Sequence, residues 1–254
     1  MDLKLKDKRV LVSGSTSGIG YAIGSFFLSE GAKVVFTGRD SQKLREVATS
    51  HESESALFIE CDFEDSQKIV AVRNEIQRQW KGLDILICNV GSGRSTLEPA
   101  PALEQVEKIF RTNFYSATET THHFVDMISR SQGNIIYITS IAGHEPIGAP
   151  VDYSAAKCAL GMYAKSLAKR LGPAGVRVNC VAPGNIYFPG GTWARKLEDD
   201  RDKVTEMLAT KVPLGRMGDP LEVAAAVAFL ASSFSAFTTG ATFVVDGGQS
   251  STFL

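Results

Sequence analysis

Val10-Leu11-Val12-Ser13-Gly14-Ser15-Thr16-Ser17-Gly18-Ile19-Gly20 runs from an apolar, β-branched segment through a turn with three glycines into a stretch of helical spacing. Such a turn lets the backbone bend sharply and come close to a ligand, and the unpaired N–H groups and dipole at a helix N-terminus favour a negative charge there. In a strand-turn-helix unit this is where the pyrophosphate of a dinucleotide docks, with Gly14, Gly18 and Gly20 making room and Ser13, Ser15, Thr16 and Ser17 adding hydroxyl donors. No Lys-Ser or Lys-Thr pair follows the last glycine, which argues against a nucleoside-triphosphate loop. Two other readings of the turn alone stay open: a ligand-free tight turn, and the glycines a methyltransferase places after its first strand.

Outward from this turn, short apolar runs recur at 9–12, 33–37, 56–61, 83–88, 134–139, 176–181 and 242–245. They are nearly continuous instead of alternating, as expected when helices cover both faces of a parallel sheet. Between them, 19–29, 41–49, 66–80, 103–129, 153–171 and 220–231 carry helical spacing, several with Gly or Pro at their ends. The expected fold is therefore α/β, a doubly wound Rossmann arrangement of seven parallel strands with helices on both faces. No linker or repeat divides the chain, so residues 1–254 read as one dinucleotide-binding and catalytic domain. The long connection at about 184–216 reads as a substrate lid with some helix of its own, mixing Tyr187, Phe188, Trp193, Met207 and Leu208 with charged residues.

Charged residues make up 22% of the 254 residues and the formal net charge is -1, which gives no electrostatic reason to expect nucleic acid or an anionic membrane as partner. No apolar run is long enough to span a bilayer, and the N-terminus has no secretory pattern. Cys61, Cys88, Cys158 and Cys180 stand far apart without metal-type pairing, so no metal is assigned and a reduced, cytoplasmic setting is expected. His51, His122 and His123 read as structural. His144 and Glu145 follow Ser140 closely and line either a pocket mouth or a solvated loop.

Tyr153 and Lys157 are four residues apart in a helical stretch, on the same face and one turn from each other. Bringing a tyrosine from a pKa near ~10 to about 7 for acid–base work needs roughly 4 kcal/mol of preference for phenolate. One ammonium at about 4 Å supplies roughly that at an effective dielectric near 20. Ser140 ends the run Ile135-Ile136-Tyr137-Ile138-Thr139 at the C-terminal edge of a strand, where its hydroxyl would polarise a substrate oxygen. Taken singly, a Tyr-Lys pair at a helix start and a serine at a strand end are ordinary structural features. Their joint occurrence with the glycine turn is what points to chemistry.

The spacing Gly-x-x-x-Gly-x-Gly together with Tyr153-Ser154-Ala155-Ala156-Lys157 resembles the short-chain dehydrogenase/reductase family, over essentially the whole chain. Further matching positions, in order, are Asp62-Phe63 after the third strand, Asn89 and Gly91 after the fourth, Asn113 in the long helix, Ser140 after the fifth, and Pro183-Gly184 with Ile186 after the sixth. The resemblance implies an NAD(P)-dependent oxidoreductase that moves a hydride between nicotinamide and a carbonyl or secondary alcohol. It implies Tyr153 as acid and base, Lys157 also on the nicotinamide ribose, and Asn113 positioning a water in the proton relay. Gly14 to Gly20, Arg39, Asp62, Phe63, Asn89, Gly91, Pro183, Gly184 and Ile186 would line the cofactor. A homo-oligomer, tetramer or dimer, is expected through the long helices around Asn113 and Tyr153. Two short segments depart from the family pattern, Ser13 in place of Thr and Cys88-Asn89-Val90-Gly91 in place of Asn-Asn-Ala-Gly, and both bear on hydrogen bonds at strand ends. The rival functions are a cofactor-binding regulator without turnover and a methyltransferase. A regulator has no chemical need for Tyr153, Lys157, Ser140 and Asn113 together.

The second strand ends Val34-Val35-Phe36-Thr37-Gly38-Arg39-Asp40. An NAD enzyme would place there an acidic residue to accept bonds from the adenosine ribose hydroxyls. Gly38 stands at that position and Arg39 follows, so no carboxylate repels a 2′-phosphate and a guanidinium is at hand to bind it. NADP(H) is the expected cofactor, with NAD(H) as the alternative if Asp40 reaches the ribose instead of capping the next helix.

Overall fold

The computed structural model describes residues 2–51 and 53–252; Met1, Glu52, Phe253 and Leu254 of the expected 1–254 domain lie outside them. Seven strands form one sheet: β1 (Arg9–Val12), β2 (Lys33–Gly38), β3 (Ala56–Glu60), β4 (Ile85–Cys88), β5 (Asn134–Ile138), β6 (Arg177–Pro183) and β7 (Thr242–Val245). Their order is β3-β2-β1-β4-β5-β6-β7 and every pair is parallel. Successive strand residues face opposite sides, so each apolar run feeds two cores at once. Val10, Val12, Ile85, Ile87 and Ile136 pack with Ile23 and Phe27 of α1 (Gly18–Ser29) and Val223 and Val227 of α9 (Pro220–Ala231). Leu11, Leu86, Cys88, Ile135 and Tyr137 pack on the other face with Ile69 and Ile76 of α3 (Ser66–Trp80), Phe124 and Ile128 of α5 (Ser116–Ser131), and Leu160 and Ala164 of α6 (Val151–Leu171).

The strand order reverses between β1 and β4. The turn after β1 and the turn after β4 are therefore neighbours at the C-terminal edge of the sheet, the crevice where doubly wound folds hold ligands. The helix α2 (Ser41–Ser50) lies between β2 and β3, and α4 (Leu103–Phe110) leads toward α5. Within 184–216 two helices form, α7 (Thr192–Asp199) and α8 (Arg201–Lys211), the second started by the Asp200 carboxylate accepting the Lys203 N–H.

The long helix expected over 103–129 is not continuous. A π-helical turn, Arg111–Tyr115, separates α4 from α5 and contains Asn113. The cause is local: Asn113 Nδ2 donates to the Ile109 carbonyl at 3.0 Å, taking the acceptor that the residue-113 N–H would use in an α-helix. The extra residue bulges the helix where it meets the crevice, a placement common at functional sites. The helix α6 also begins earlier than expected, at Val151, with Pro150 at its N-cap position.

Candidate active site

The glycine turn is stapled to the turn after β4. Ser13 Oγ accepts the N–H groups of Asn89 at 2.9 Å and Val90 at 3.2 Å, while Asn89 Nδ2 donates to the carbonyls of Ser13 at 3.0 Å and Gly14 at 2.9 Å. Serine thus makes the strand-end bonds at the position where the family pattern has threonine. A Cβ on Gly20 would fall 2.3 Å from Gly14 O and 2.4 Å from Asn89 Nδ2, so this contact requires glycine. Gly14 and Gly18 have φ of 66° and 56°. Ser15 is fully buried, its N–H and hydroxyl tied to Thr37 and Val12, so its side chain supports the turn from within and offers no donor outward. Exposed Ser17 occupies the N-cap of α1 without capping it, which leaves the first N–H groups of Gly18 and Ile19 without a side-chain partner. These residues fit a pyrophosphate: an uncapped helix N-terminus in a turn whose glycines hold the main chain in a tight, left-handed bend. Phe188, from the segment after β6, lies over this turn; a Cβ on Gly18 would meet its ring at 2.7 Å.

At the end of β2, a Cβ on Gly38 would sit 2.6 Å from Thr16 Cγ2. The Asp40 carboxylate caps α2, accepting from Gln42 N at 3.0 Å and Lys43 N at 3.1 Å. Arg39 is exposed and, among the described residues, has no hydrogen bond or ion pair. Asp62 accepts the Glu64 N–H at 3.1 Å, and the Phe63 ring is buried in the core.

Four side chains from three parts of the chain, Asn113 of the π turn, Ser140 after β5, and Tyr153 and Lys157 of α6, converge beyond β4 and β5. Ser140 starts a short 3₁₀ turn, Ile141–Gly143, by accepting the Ala142 N–H at 3.2 Å. That turn rests on α6, since a Cβ on Gly143 would be 2.8 Å from the Lys157 carbonyl carbon. Lys157 is 4% exposed; its Nζ donates to Ile138 O at 2.9 Å and lies 5.9 Å from the Tyr153 ring centroid. A Cβ on Gly91 would meet both Lys157 Nζ and Asn113 Oδ1 at 2.9 Å, so glycine there lets the turn after β4 close onto α6 and the π turn. Asn113 is fully buried; its Oδ1 accepts the Ser92 N–H at 2.9 Å and its Nδ2 donates to Ser92 O at 3.0 Å. With Ile109 O, both Nδ2 hydrogens of the amide are engaged. Gly184 donates to Val245 O at 2.9 Å, and Ile186 is buried in a bridge to Gly218. A cleft of about 490 Å³ borders Asn185 and Ile186 but includes none of Ser140, Tyr153 and Lys157. Among the described residues no group of three or more His, Cys, Asp or Glu gathers to hold a metal. Glu145 is drawn away to the chain end, accepting from Ser251 N at 3.0 Å and Thr252 N at 2.8 Å, and His144 Nε2 is buried without a partner.

The electrostatics differ from the expectation that Lys157 alone lowers the Tyr153 phenol. Burial pushes Tyr153 above its ordinary value and the Ser140 side chain pulls it partly back. Burial also pulls Lys157 down to about 8, with the Cys180 side chain acting slightly the other way. Desolvation therefore outweighs the ammonium, which is directed at the Ile138 carbonyl and not at the phenolic oxygen. A positive nicotinamide ring beside the phenol would add the missing preference for phenolate.

The depressed lysine has a consequence for stability. Between pH 8 and the ordinary 10.5 the unfolded chain binds more protons at this site than the folded one, so folding becomes more favourable as pH rises through that window. Relative to Lys157→Met, the parent should gain about 2 to 3 kcal/mol of unfolding free energy between pH 7 and pH 10. Urea unfolding of both proteins at the two pH values measures this, and a difference that does not change with pH would contradict the burial of a protonated Lys157.

Comparison with known proteins bears on the whole chain. A family model described as enoyl-(acyl carrier protein) reductase matches residues 14–250. A 3-oxoacyl-(acyl-carrier-protein) reductase of Aquifex aeolicus is 34% identical over 253 residues, covering 98% of this chain and 100% of the relative. An L-fucose dehydrogenase of Oryctolagus cuniculus is 34% identical over 249 residues, covering 95% and 84%. The crystal structure of L-sorbose reductase from Gluconobacter frateurii, complexed with NADPH and L-sorbose, superposes with a TM-score of 0.93 at 28% identity and covers 100% of both chains. With the family model matched over residues 14–250 and the relatives covered over nearly their whole length, the chain belongs to the short-chain dehydrogenase/reductase family of NAD(P)-dependent oxidoreductases.

Proposed function

We propose that the protein is an NADP(H)-preferring reductase or dehydrogenase acting on a carbonyl or secondary alcohol, and that Tyr153 moves the proton. The observation that carries this is the convergence of Ser140, Tyr153 and Lys157 at the C-terminal edge of β5, beside the turn that fits a pyrophosphate. Bound nicotinamide supplies or takes up the hydride. Ser140 holds and polarises the substrate oxygen, and Tyr153 protonates that oxygen during reduction and removes its proton during oxidation. Lys157 holds the ribose, and the bulge at Asn113 holds the relay water. Gly14, Thr16, Ser17, Gly18, Ile19 and Gly20 receive the phosphates, Ser15 supporting them from behind. Asp62 and Phe63 flank the adenine, and Asn89, Gly91, Pro183, Gly184 and Ile186 border the nicotinamide half.

The preference for NADP(H) rests on the end of β2. Asp40 is committed to its helix cap, Gly38 has no room for a carboxylate, and Arg39 is free to bind a 2′-phosphate. The bound NADPH of the L-sorbose reductase is consistent with this reading. Residues 184–216 form the lid over substrate, with Phe188 as its contact to the phosphate turn. Exposed Leu103, Tyr115, Val151 and Met162 on α4 to α6 support a homo-oligomer, a tetramer or a dimer, through that face. The cysteines, Cys61, Cys88, Cys158 and Cys180, are all free thiols, which fits the cytoplasmic setting we propose.

Tyr153→Phe should lower turnover by several orders of magnitude while leaving NADPH affinity, measured by fluorescence titration, nearly intact; substantial residual turnover would contradict the assignment. Steady-state kinetics should show NADPH preferred over NADH by roughly ten- to a hundredfold in kcat/KM, a partly solvated phosphate contact contributing about 1.5–3 kcal/mol. Arg39→Leu should remove most of that preference. Equal use of both cofactors by the parent would refute the NADP(H) reading.

A further inference from the structure

Among the described residues, Asp152 and Lys157 are the buried side chains of the acidic and basic residue types, 3% and 4% exposed, and they lie on either side of Tyr153 along α6. The mechanism uses Lys157 and gives Asp152 no part. A helix start does not explain it, because a carboxylate in the first turn gains the same dipole interaction while exposed. Burying one without a cation costs several kcal/mol unless hydrogen bonds compensate.

One compensating bond is local to α6 and the other comes from the loop after β4. Asp152 Oδ1 accepts the Tyr153 N–H at 2.8 Å, and Oδ2 accepts the Ser95 hydroxyl. Ser95 Oγ in turn accepts from Gln105 Nε2 of α4 at 2.9 Å. Three residues earlier, Ser92 is held at both main-chain groups by Asn113. Between the two fixed points lies Gly93, where a Cβ would be 3.8 Å from Tyr153 Cζ. The segment 92–95 is therefore a wall laid against the catalytic tyrosine and fastened at each end. One fastening is the family-pattern residue Asn113; the other is Asp152.

We propose that Asp152 is a positioning residue, a buried latch that fixes the 92–95 wall against Tyr153 through Ser95 and so sets where the substrate rests beside the phenol. The effect on turnover rests on the reductase reading above, whereas the latch itself does not. Removing it frees the wall without touching the cofactor site, so the loss falls on substrate KM more than on kcat.

The test compares the parent with Ser95→Ala, Asp152→Ala, the double variant and Asp152→Asn, reading amide hydrogen exchange over residues 93–98 by mass spectrometry together with kinetics and NADPH affinity. Exchange of the segment should speed by about tenfold in each single variant and no further in the double, as expected for one shared hydrogen bond. Asp152→Asn fills the same space and still bonds Ser95 and the Tyr153 N–H, so it should stay within about threefold of the parent. Carbonyl KM should rise by about tenfold in the alanine variants with the NADPH dissociation constant unchanged. Unchanged exchange in Ser95→Ala, additive losses in the double variant, or equal losses in Asp152→Asn and Asp152→Ala would overturn the latch. Ser95→Ala leaves α6 intact and decides the matter even if Asp152→Ala does not fold. A parent without carbonyl turnover would refute the reductase reading, and exchange would still decide the latch.

Discussion

The arrangement of the site depends on one buried ammonium. Lys157 Nζ is held on the Ile138 carbonyl at the end of β5, out of water, and everything around it is shaped to let it be there. Gly91 lacks a Cβ where one would strike Nζ, and Gly143 lacks one where α6 passes behind the Ser140 turn. The cost of that burial is visible in the lysine's descent to about 8. Because α6 cannot rotate without dragging this charge off its acceptor, the helix phase is fixed, and with it the position of Tyr153 one turn earlier.

The rest of the sheet carries the second half of the reaction to that helix. The strand order reverses between β1 and β4, so the turns that follow them share an edge. Ser13 and Asn89 knit those turns together through four hydrogen bonds, and Gly20 allows the closest of the contacts. A dinucleotide seated on the glycine turn would thereby be directed along the same edge toward β5 and α6. Asn113 ties the helix bundle in: the residue that bulges α4 from α5 also clamps the loop that passes over Tyr153. Binding and chemistry are adjacent because loops from neighbouring parallel strands must be.

Much of this was legible in the order of residues along the chain. The seven apolar runs announced the strands because a parallel sheet covered on both faces needs both alternate positions apolar, as the split of Val10 and Leu11 between the two cores illustrates. The spacing of Tyr153 and Lys157 and the glycines of the first turn were readable for the same reason: they are local patterns with a fixed geometry. What could not be read were contacts between distant segments. Nothing near Asn113 announces a π turn, which arises because its amide competes for Ile109 O while also holding Ser92. Ser15 looked like a phosphate donor and turned out to be bound to Thr37 of the next strand. The expected depression of the Tyr153 phenol failed because sequence spacing shows that an ammonium is near, not which oxygen it faces. Ser95 with Asp152, and Phe188 with Gly18, join residues far apart in the chain and left no signal at all.

The central claim is that these elements bring a nicotinamide hydride and a carbonyl carbon together above Tyr153. It is tested most directly by supplying NADPH deuterated on one or the other face of nicotinamide C4, together with a panel of ketones, and locating the label in the alcohol by mass spectrometry. A single rigid edge that seats the ring one way predicts deuterium on the carbinol carbon from one face only, with the other face giving unlabelled alcohol. Label delivered from both faces, or alcohol formed without label from either, would contradict direct transfer at this site.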